Sequence, residues 1–135
     1  MKFKLAVVLL GVGVLLAVRP VVAHHAFAAE FDADKPVTLT GTVTKIEWTN
    51  PHTWFYIDVK DQAGKVTNWG LEMGSPNGLM RAGWTRNTMR VGDEVTVEGS
   101  QAKDGASVGN ARVVTMVATG KRLFAASSQT DTPQR

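Results

Sequence analysis

The chain has 135 residues, with 15 basic and 12 acidic side chains, no cysteine and 44% hydrophobic residues. This length suits one domain with a single modest core and is too short for two. Without cysteine, the chain has no disulfide framework, no thiolate nucleophile and no thiolate metal ligand.

Residues 1–23 have the pattern of a secretory signal peptide, a single apolar helix. Two lysines precede an apolar run over residues 5–18, and small residues lead to Ala23. The run is shorter than the roughly 20 residues of a membrane span, and an arginine and a proline follow it. We therefore predict cleavage after Ala23, with His24 as the first residue of a periplasmic or secreted chain that has no stable membrane span.

The predicted leader also changes the charge balance. It holds three of the basic residues, Lys2, Lys4 and Arg19, and none of the acidic ones. The remaining chain is therefore formally neutral, so attraction to nucleic acid or to an anionic membrane surface loses its main electrostatic support. We predict no nucleic-acid partner.

The first predicted strand follows a mixed lead-in that ends at Pro36, a residue that disfavours helix before it. Residues 37–48 alternate between apolar and polar side chains, as in a half-buried strand. The alternation slips by one step at Thr44 and Lys45, which predicts a bulge, and Gly41 predicts a bend. The result is one long, bent strand.

The remaining elements continue the strand pattern. Residues 54–60 and 65–73 predict a hairpin, and Ser75 followed by Pro76 predicts the start of a short helix. Leu79, Met80 and Trp84 have the spacing of its apolar face, and Gly83 would weaken or end the helix. Further strands are predicted over 94–99 and 111–117, with a short sixth strand over 121–124.

This order predicts an all-β fold with little helix, a five-stranded OB-fold-like Greek-key barrel with one short helix between strands 3 and 4. An immunoglobulin-like sandwich would need about seven strands. The predicted domain covers residues 24–126, and residues 127–135 are predicted to be a disordered polar tail.

The corner between the first two strands, residues 48–54, is the main candidate for a binding site. Its Asn50-Pro51 pair is a turn signal. Aromatic side chains of the first hairpin could stack on a ligand's rings or pack against the core. The predicted ligand-binding residues are Trp48, Asn50, Trp54, Tyr56 and Trp69.

The three histidines, His24, His25 and His52, are candidate metal ligands. A terminal His24 would offer its amine and imidazole to one ion, and His25 or His52 could add a further nitrogen, a set that suits Cu(II). Zn(II) with Glu30 or Asp32 is an alternative. The competing interpretation is a polar terminus, with His52 bonded to a backbone group in a tight turn.

Enzyme signatures are missing from the sequence. It contains no Gly-x-Ser-x-Gly elbow, no P-loop and no His-Glu-x-x-His helix. Glu47, Asp58 and Glu72 could form a carboxylate pair, but they lie on separate predicted strands whose relative facing the pattern does not define. We predict a protein without catalytic activity.

The chain resembles a family of small secreted bacterial proteins of unknown function over nearly all of residues 24–124. The shared features are a His-His start, an Asn-Pro-His-x-Trp motif, a tryptophan in the third strand and several short turn motifs. In this sequence they are His24-His25, Phe31-Asp32, Lys35-Pro36-Val37, Gly41-Thr42-Val43, Asn50-Pro51-His52-Thr53-Trp54, Asn68-Trp69, Pro76-Asn77-Gly78-Leu79, Gly83-Trp84, Gly92-Asp93 and Lys103-Asp104-Gly105. The resemblance implies an exported single domain and no particular reaction. Ala26 departs from the serine expected after the two histidines.

Three functions follow as hypotheses. The first is an exported, non-catalytic OB-fold binding module for an unknown small ligand. The second is a copper-binding protein that uses His24 with His52. The third is an accessory subunit of a periplasmic enzyme that binds its partner protein through Trp54, Tyr56 and the helix.

Overall fold

A computed structural model of the chain describes residues 29–126. The predicted leader, its cleavage site, His24, His25 and the predicted polar tail lie outside the described residues. The elements are β1 (Phe31–Glu47), β2 (Trp54–Lys60), β3 (Val66–Glu72), α1 (Pro76–Arg81), β4 (Glu94–Ala102), β5 (Val108–Met116) and β6 (Arg122–Phe124). None of the described helices has the length and apolar character needed to cross a membrane.

The six strands form one sheet in the order β3-β2-β1-β4-β5-β6, and β3 also pairs with β5. This additional pairing is parallel, whereas the other pairings are antiparallel. The pairings therefore run from β1 through β2, β3, β5 and β4 and return to β1 as a closed ring. The all-β prediction is confirmed, and the helix lies between strands 3 and 4 as expected.

The inside of the ring is the hydrophobic core. Alternate residues of β2 point inwards, and Phe55 and Ile57 are fully buried there, opposite Leu71 and Trp69 of β3. The strands β4 and β5 add inward-pointing valines, including Val97 and Val114, which are fully buried and are partners in the antiparallel β4–β5 register. Because inward and outward residues alternate, the other face of β2 carries Trp54, Tyr56 and Asp58.

The first strand is longer than predicted. Its register shifts between Val43 and Lys45, which confirms the predicted bulge. The strand begins at Phe31 instead of residue 37, because Phe31 is only 2% exposed and pairs with Ala102 of β4. Pro36 is accommodated because a second register shift lies between Phe31 and Pro36, where regular ladder bonds are interrupted.

The helix α1 begins as predicted. The Ser75 side chain accepts a hydrogen bond from the Gly78 N–H at 3.2 Å, and Pro76 occupies the first turn. The helix ends at Arg81, so the prediction that Trp84 belongs to the helix face is wrong. Trp84 follows the turn at Gly83, where φ is +98°, and its buried ring donates a 2.8 Å hydrogen bond to the Phe124 carbonyl.

Candidate functional site

The corner between β1 and β2 is attached to the end of β3. Its Asn50-Pro51 peptide bond is cis. The Thr53 N–H donates to the Gly74 carbonyl at 3.0 Å, and the Met73 N–H donates to the Thr53 carbonyl at 2.8 Å. These bonds continue the β2–β3 ladder beyond its last strand pair and hold the residue before Thr53, His52, beside the end of β3.

His52 lies within hydrogen-bond distance of a buried carboxylate. Its Nδ1 atom lies 3.0 Å from Oε1 of Glu72, and the side-chain exposures are 33% for His52 and 11% for Glu72. The Asn110 amide donates to the same Glu72 oxygen at 3.5 Å and is itself only 3% exposed. We call His52, Glu72 and Asn110 the polar triad.

The polar triad depends on the closure of the ring. Glu72 is the last residue of β3, and its partner in the parallel β3–β5 register is Asn110. Trp54 is the partner of Glu72 on the other side, in the antiparallel β2–β3 register. Trp54, Glu72 and Asn110 are therefore neighbours across three strands.

Burial raises the pKa of the Glu72 carboxyl above its usual range. The charge of His52 lowers this pKa, the negative charge of Glu30 raises it further, and the hydrogen bonds from Asn110 and His52 lower it, with burial the largest effect. An ionised carboxylate can only accept hydrogen bonds, so His52 donates through Nδ1–H. In a neutral imidazole this leaves Nε2 with its lone pair, available to a metal ion or a proton.

Two aromatic rings lie beside the polar triad on the outer face of β2. Trp54 and Tyr56 are both half-buried. A Cβ atom on Gly70, the partner of Tyr56 in β3, would lie 3.2 Å from the tyrosine ring and 3.9 Å from the tryptophan ring. Because glycine has no side chain, the two rings cover the β3 backbone there. We call Trp54 and Tyr56 over Gly70 the aromatic platform.

The β1 side of the platform carries a charged pair. The Lys45 ammonium lies 2.6 Å from the Glu47 carboxylate and 5.4 Å from the centre of the Tyr56 ring. The Tyr56 hydroxyl donates to Glu47 at 3.4 Å. The hydrogen bond and charge of Glu47 raise the pKa of Lys45, and the hydrogen bond from Lys45 lowers the pKa of Glu47.

The sequence matches the model of a family described as "Family of unknown function (DUF6152)" over residues 13–111. The chain belongs to this family. No curated protein matches the chain. The matched range of the DUF6152 family includes the corner, the polar triad and the aromatic platform.

The structure separates the predicted ligand-binding residues of this DUF6152 chain into two groups. Trp54 and Tyr56 lie on the outer face and form the platform. Trp48 and Trp69 instead pack against the core from partly buried positions. Asn50 is exposed at the cis peptide of the corner.

Of the predicted metal ligands, only His52 falls within the described residues. It bonds to the Glu72 carboxylate rather than to a backbone group. Within residues 29–126, no three histidine, aspartate or glutamate side chains are close enough together to hold a metal ion. In this part of the chain, His52 and Glu72 would need a further ligand to complete a metal site.

From the sequence alone, Glu72 is one of three carboxylates on separate predicted strands, and Asn110 has no predicted role. Glu47 and Glu72 do not pair with each other. Trp54 of β2 lies between them, because it pairs with Glu47 on β1 and with Glu72 on β3. Asn110 lies just before the predicted strand over residues 111–117, whereas β5 begins at Val108 and includes Asn110. A polar residue directly before an apolar strand was the available signal, but its partner depends on the parallel register.

Proposed function

We propose that this protein is an exported, non-catalytic binding domain whose ligand lies on the outer face of β2 and β3. The observation that supports it is the combination of two half-exposed aromatic rings with a hydrogen-bonded polar triad beside them, in which Glu72 and Asn110 are buried and His52 is partly exposed. Binding sites commonly pair apolar or aromatic contact surface with a few well-positioned polar groups. In OB-folds, the architecture predicted from the sequence, the face of strands 2 and 3 binds ligands.

The polar triad supplies the preorganised part of this surface. Glu72 and Asn110 are held by the β3–β5 pairing, and His52 is held by the corner and by Glu72. Because these side chains are already held in place, they lose little conformational entropy when a ligand binds, which favours affinity. The export part of the proposal is supported by the signal-peptide pattern of residues 1–23.

A thermal-shift screen of sugars, amines, amino acids and metal ions tests the binding proposal. A ligand at about 100 times its Kd stabilises the folded protein by about 2.7 kcal/mol, which corresponds to a Tm increase of roughly 10 °C for a domain of about 100 residues. The matched variants are Trp54→Ala on the platform and Phe124→Ala at an exposed aromatic on β6, which is 40% exposed. A ligand should stabilise the wild type and Phe124→Ala but not Trp54→Ala; stabilisation of all three by every ligand found would refute the proposed face.

We propose copper binding as a second function, because Glu72 holds Nδ1 of His52 and leaves Nε2 for a metal. Metal-binding histidines usually donate their other N–H to a carboxylate or a carbonyl group. The negative charge of Glu30 acts on Glu72, so the described chain begins near the polar triad. The six residues from Glu30 back to His24 can span at most about 20 Å.

The copper proposal has two separate tests. Mass spectrometry of the exported protein must give His24 as the first residue, since any other terminus removes the amine and imidazole chelate. Cu(II) titration of that processed protein should then show weaker binding for His24→Ala and for His52→Ala than for the wild type. Equal affinity in all three proteins would exclude this ligand set, and His25→Ala beside them tests whether His25 contributes.

A further inference from the structure

The environment of Trp54 indicates a class of ligand. Trp54 pairs with Glu47 on one side and with Glu72 on the other. An aromatic ring is thus flanked by carboxylates on both neighbouring strands. Carboxylates accept hydrogen bonds and donate none when ionised, so the surface offers a stacking area with acceptors at its two edges.

The flanking acceptors are fixed in place. Glu72 is held by Asn110 and His52, and Glu47 is held by Lys45 and by the Tyr56 hydroxyl. Fixed acceptors on either side of an aromatic ring favour a flat ligand with hydroxyl donors around its rim and an apolar face. A sugar ring has both properties, because its axial C–H groups form an apolar face and its equatorial hydroxyls point outwards.

The charges beside the platform argue against an anionic ligand. The register neighbours of Trp54 and Tyr56 on β1 and β3 are Glu47, Glu72, Lys45 and Gly70, which gives two carboxylates and one ammonium. That ammonium is already paired with Glu47 at 2.6 Å. A phosphate backbone needs cations that release counterions on binding, and this surface presents carboxylates instead.

The platform is long enough for more than one sugar unit. Trp54 and Tyr56 are two residues apart on one strand, so their backbone positions are separated by about 6.5 Å along β2. The outer face continues beyond Tyr56 with Asp58 and Asn68, whose side chains are joined by a 2.9 Å hydrogen bond. This arrangement extends the row of polar groups in the strand direction.

Building on the proposed binding function, we infer that the outer face binds an uncharged oligosaccharide, with one sugar ring stacked on Trp54 and its hydroxyls donating to Glu47 and Glu72. The carboxylates make the site selective for neutral sugars over sulfated or phosphorylated ones. The His52 and Asn110 side chains keep Glu72 in position, and neither of them needs to contact the sugar.

The test is isothermal titration calorimetry of the processed wild-type protein with chitohexaose and with cellohexaose, and with heparin and single-stranded oligo(dT) as anionic comparisons. We expect saturable binding of at least one neutral oligosaccharide and none of the anions. Trp54→Ala should raise the Kd by about tenfold or more, as expected for the loss of one stacked ring. Phe124→Ala should leave the Kd within about twofold.

Glu72→Gln tests whether sugar hydroxyls donate to the Glu72 carboxylate in addition to the stacking of the ring on Trp54. The substitution keeps the shape of the side chain and removes its charge. We expect a several-fold weaker affinity for the neutral oligosaccharide and no gain in affinity for oligo(dT). Circular dichroism confirms that each variant is folded; if Trp54→Ala does not fold, Tyr56→Ala takes its place.

Three results would overturn the inference. They are the absence of saturable binding to both neutral oligosaccharides, an unchanged Kd in a folded platform variant, and anion binding as strong as sugar binding. If both sugars fail while the thermal-shift screen finds another ligand that depends on Trp54, the binding function stands and the oligosaccharide class is wrong. If that screen also finds no ligand dependent on Trp54, both proposals fail.

Discussion

Replacing Glu72 tests whether its buried carboxylate costs stability when ionised. Glu72→Gln keeps an oxygen that can accept from His52 and from Asn110, and it removes the charge. Glu72→Ala removes the accepting oxygen as well as the charge. It leaves the Asn110 amide, which is 3% exposed, without its carboxylate partner. Leaving one buried polar group unpaired costs about 1–3 kcal/mol, so at neutral pH the alanine variant should be less stable than the glutamine variant by about that amount.

The pH dependence follows from the raised pKa of Glu72. Because the pKa in the folded protein is above the ordinary value of 4.5, folding favours the protonated carboxyl. The stability that this provides is complete below about pH 4.5 and is lost as the pH rises through the raised pKa of the folded state. Each pKa unit corresponds to about 1.4 kcal/mol. Glutamine does not titrate, so the stability of Glu72→Gln relative to the wild type should increase with pH over this window.

Urea denaturation at a series of pH values between about 4 and 8 measures this difference. The groups that face Glu72 are His52, Glu30 and the neutral Asn110, and all three are retained in both proteins. Glu94→Gln, on the exposed outside of β4, is the matched control for removing one carboxylate charge. A stability difference between Glu72→Gln and the wild type that stays constant or decreases with pH would refute the reasoning.

Three further substitutions test the packing around the site by urea denaturation. Thr53→Val should stabilise the protein by about 1 kcal/mol or more, since the buried Thr53 hydroxyl has no hydrogen-bond partner among the described residues and burying an unpaired hydroxyl is unfavourable; a loss of stability would show that the hydroxyl is bonded. Trp84→Phe should cost about 1–3 kcal/mol, because it leaves the Phe124 carbonyl without its donor, and an unchanged midpoint would contradict this. Ser75→Ala should cost about 1 kcal/mol through loss of the cap on Gly78, whereas Ser75→Asp, which can still accept, should cost much less.

The strand pattern was predictable because the alternation of side chains depends on local geometry. The hairpin of β2 and β3, the slip at Thr44 and Lys45, and the cap at Ser75 each rest on a few adjacent residues. The start of β1 was not predictable in the same way. Phe31 joins the strand because it is buried against β4, a contact with residues about 70 positions later in the chain.

In the candidate site, too, the features set by neighbouring residues were predictable and those set by long-range contacts were not. Trp54 and Tyr56 share a face by strand alternation, so the sequence could pair them. The sequence could not show that Trp69 lies on the other face of the sheet. Trp69 points inwards because it pairs with the inward-pointing Ile57. The distinction between platform and core packing therefore depends on register, which is a property of two strands together.

The polar triad depends on long-range pairing at each of its contacts. His52 reaches Glu72 because the corner bonds to the residues after β3, and Glu72 reaches Asn110 because β3 pairs in parallel with β5. Loss of the β3–β5 pairing would separate Asn110 from Glu72 and expose the carboxylate to water, where it would no longer hold its raised pKa. The integrity of the closed ring and the protonation of Glu72 are thus linked, and a pH titration of Glu72 reports whether the face that carries the aromatic platform is correctly assembled.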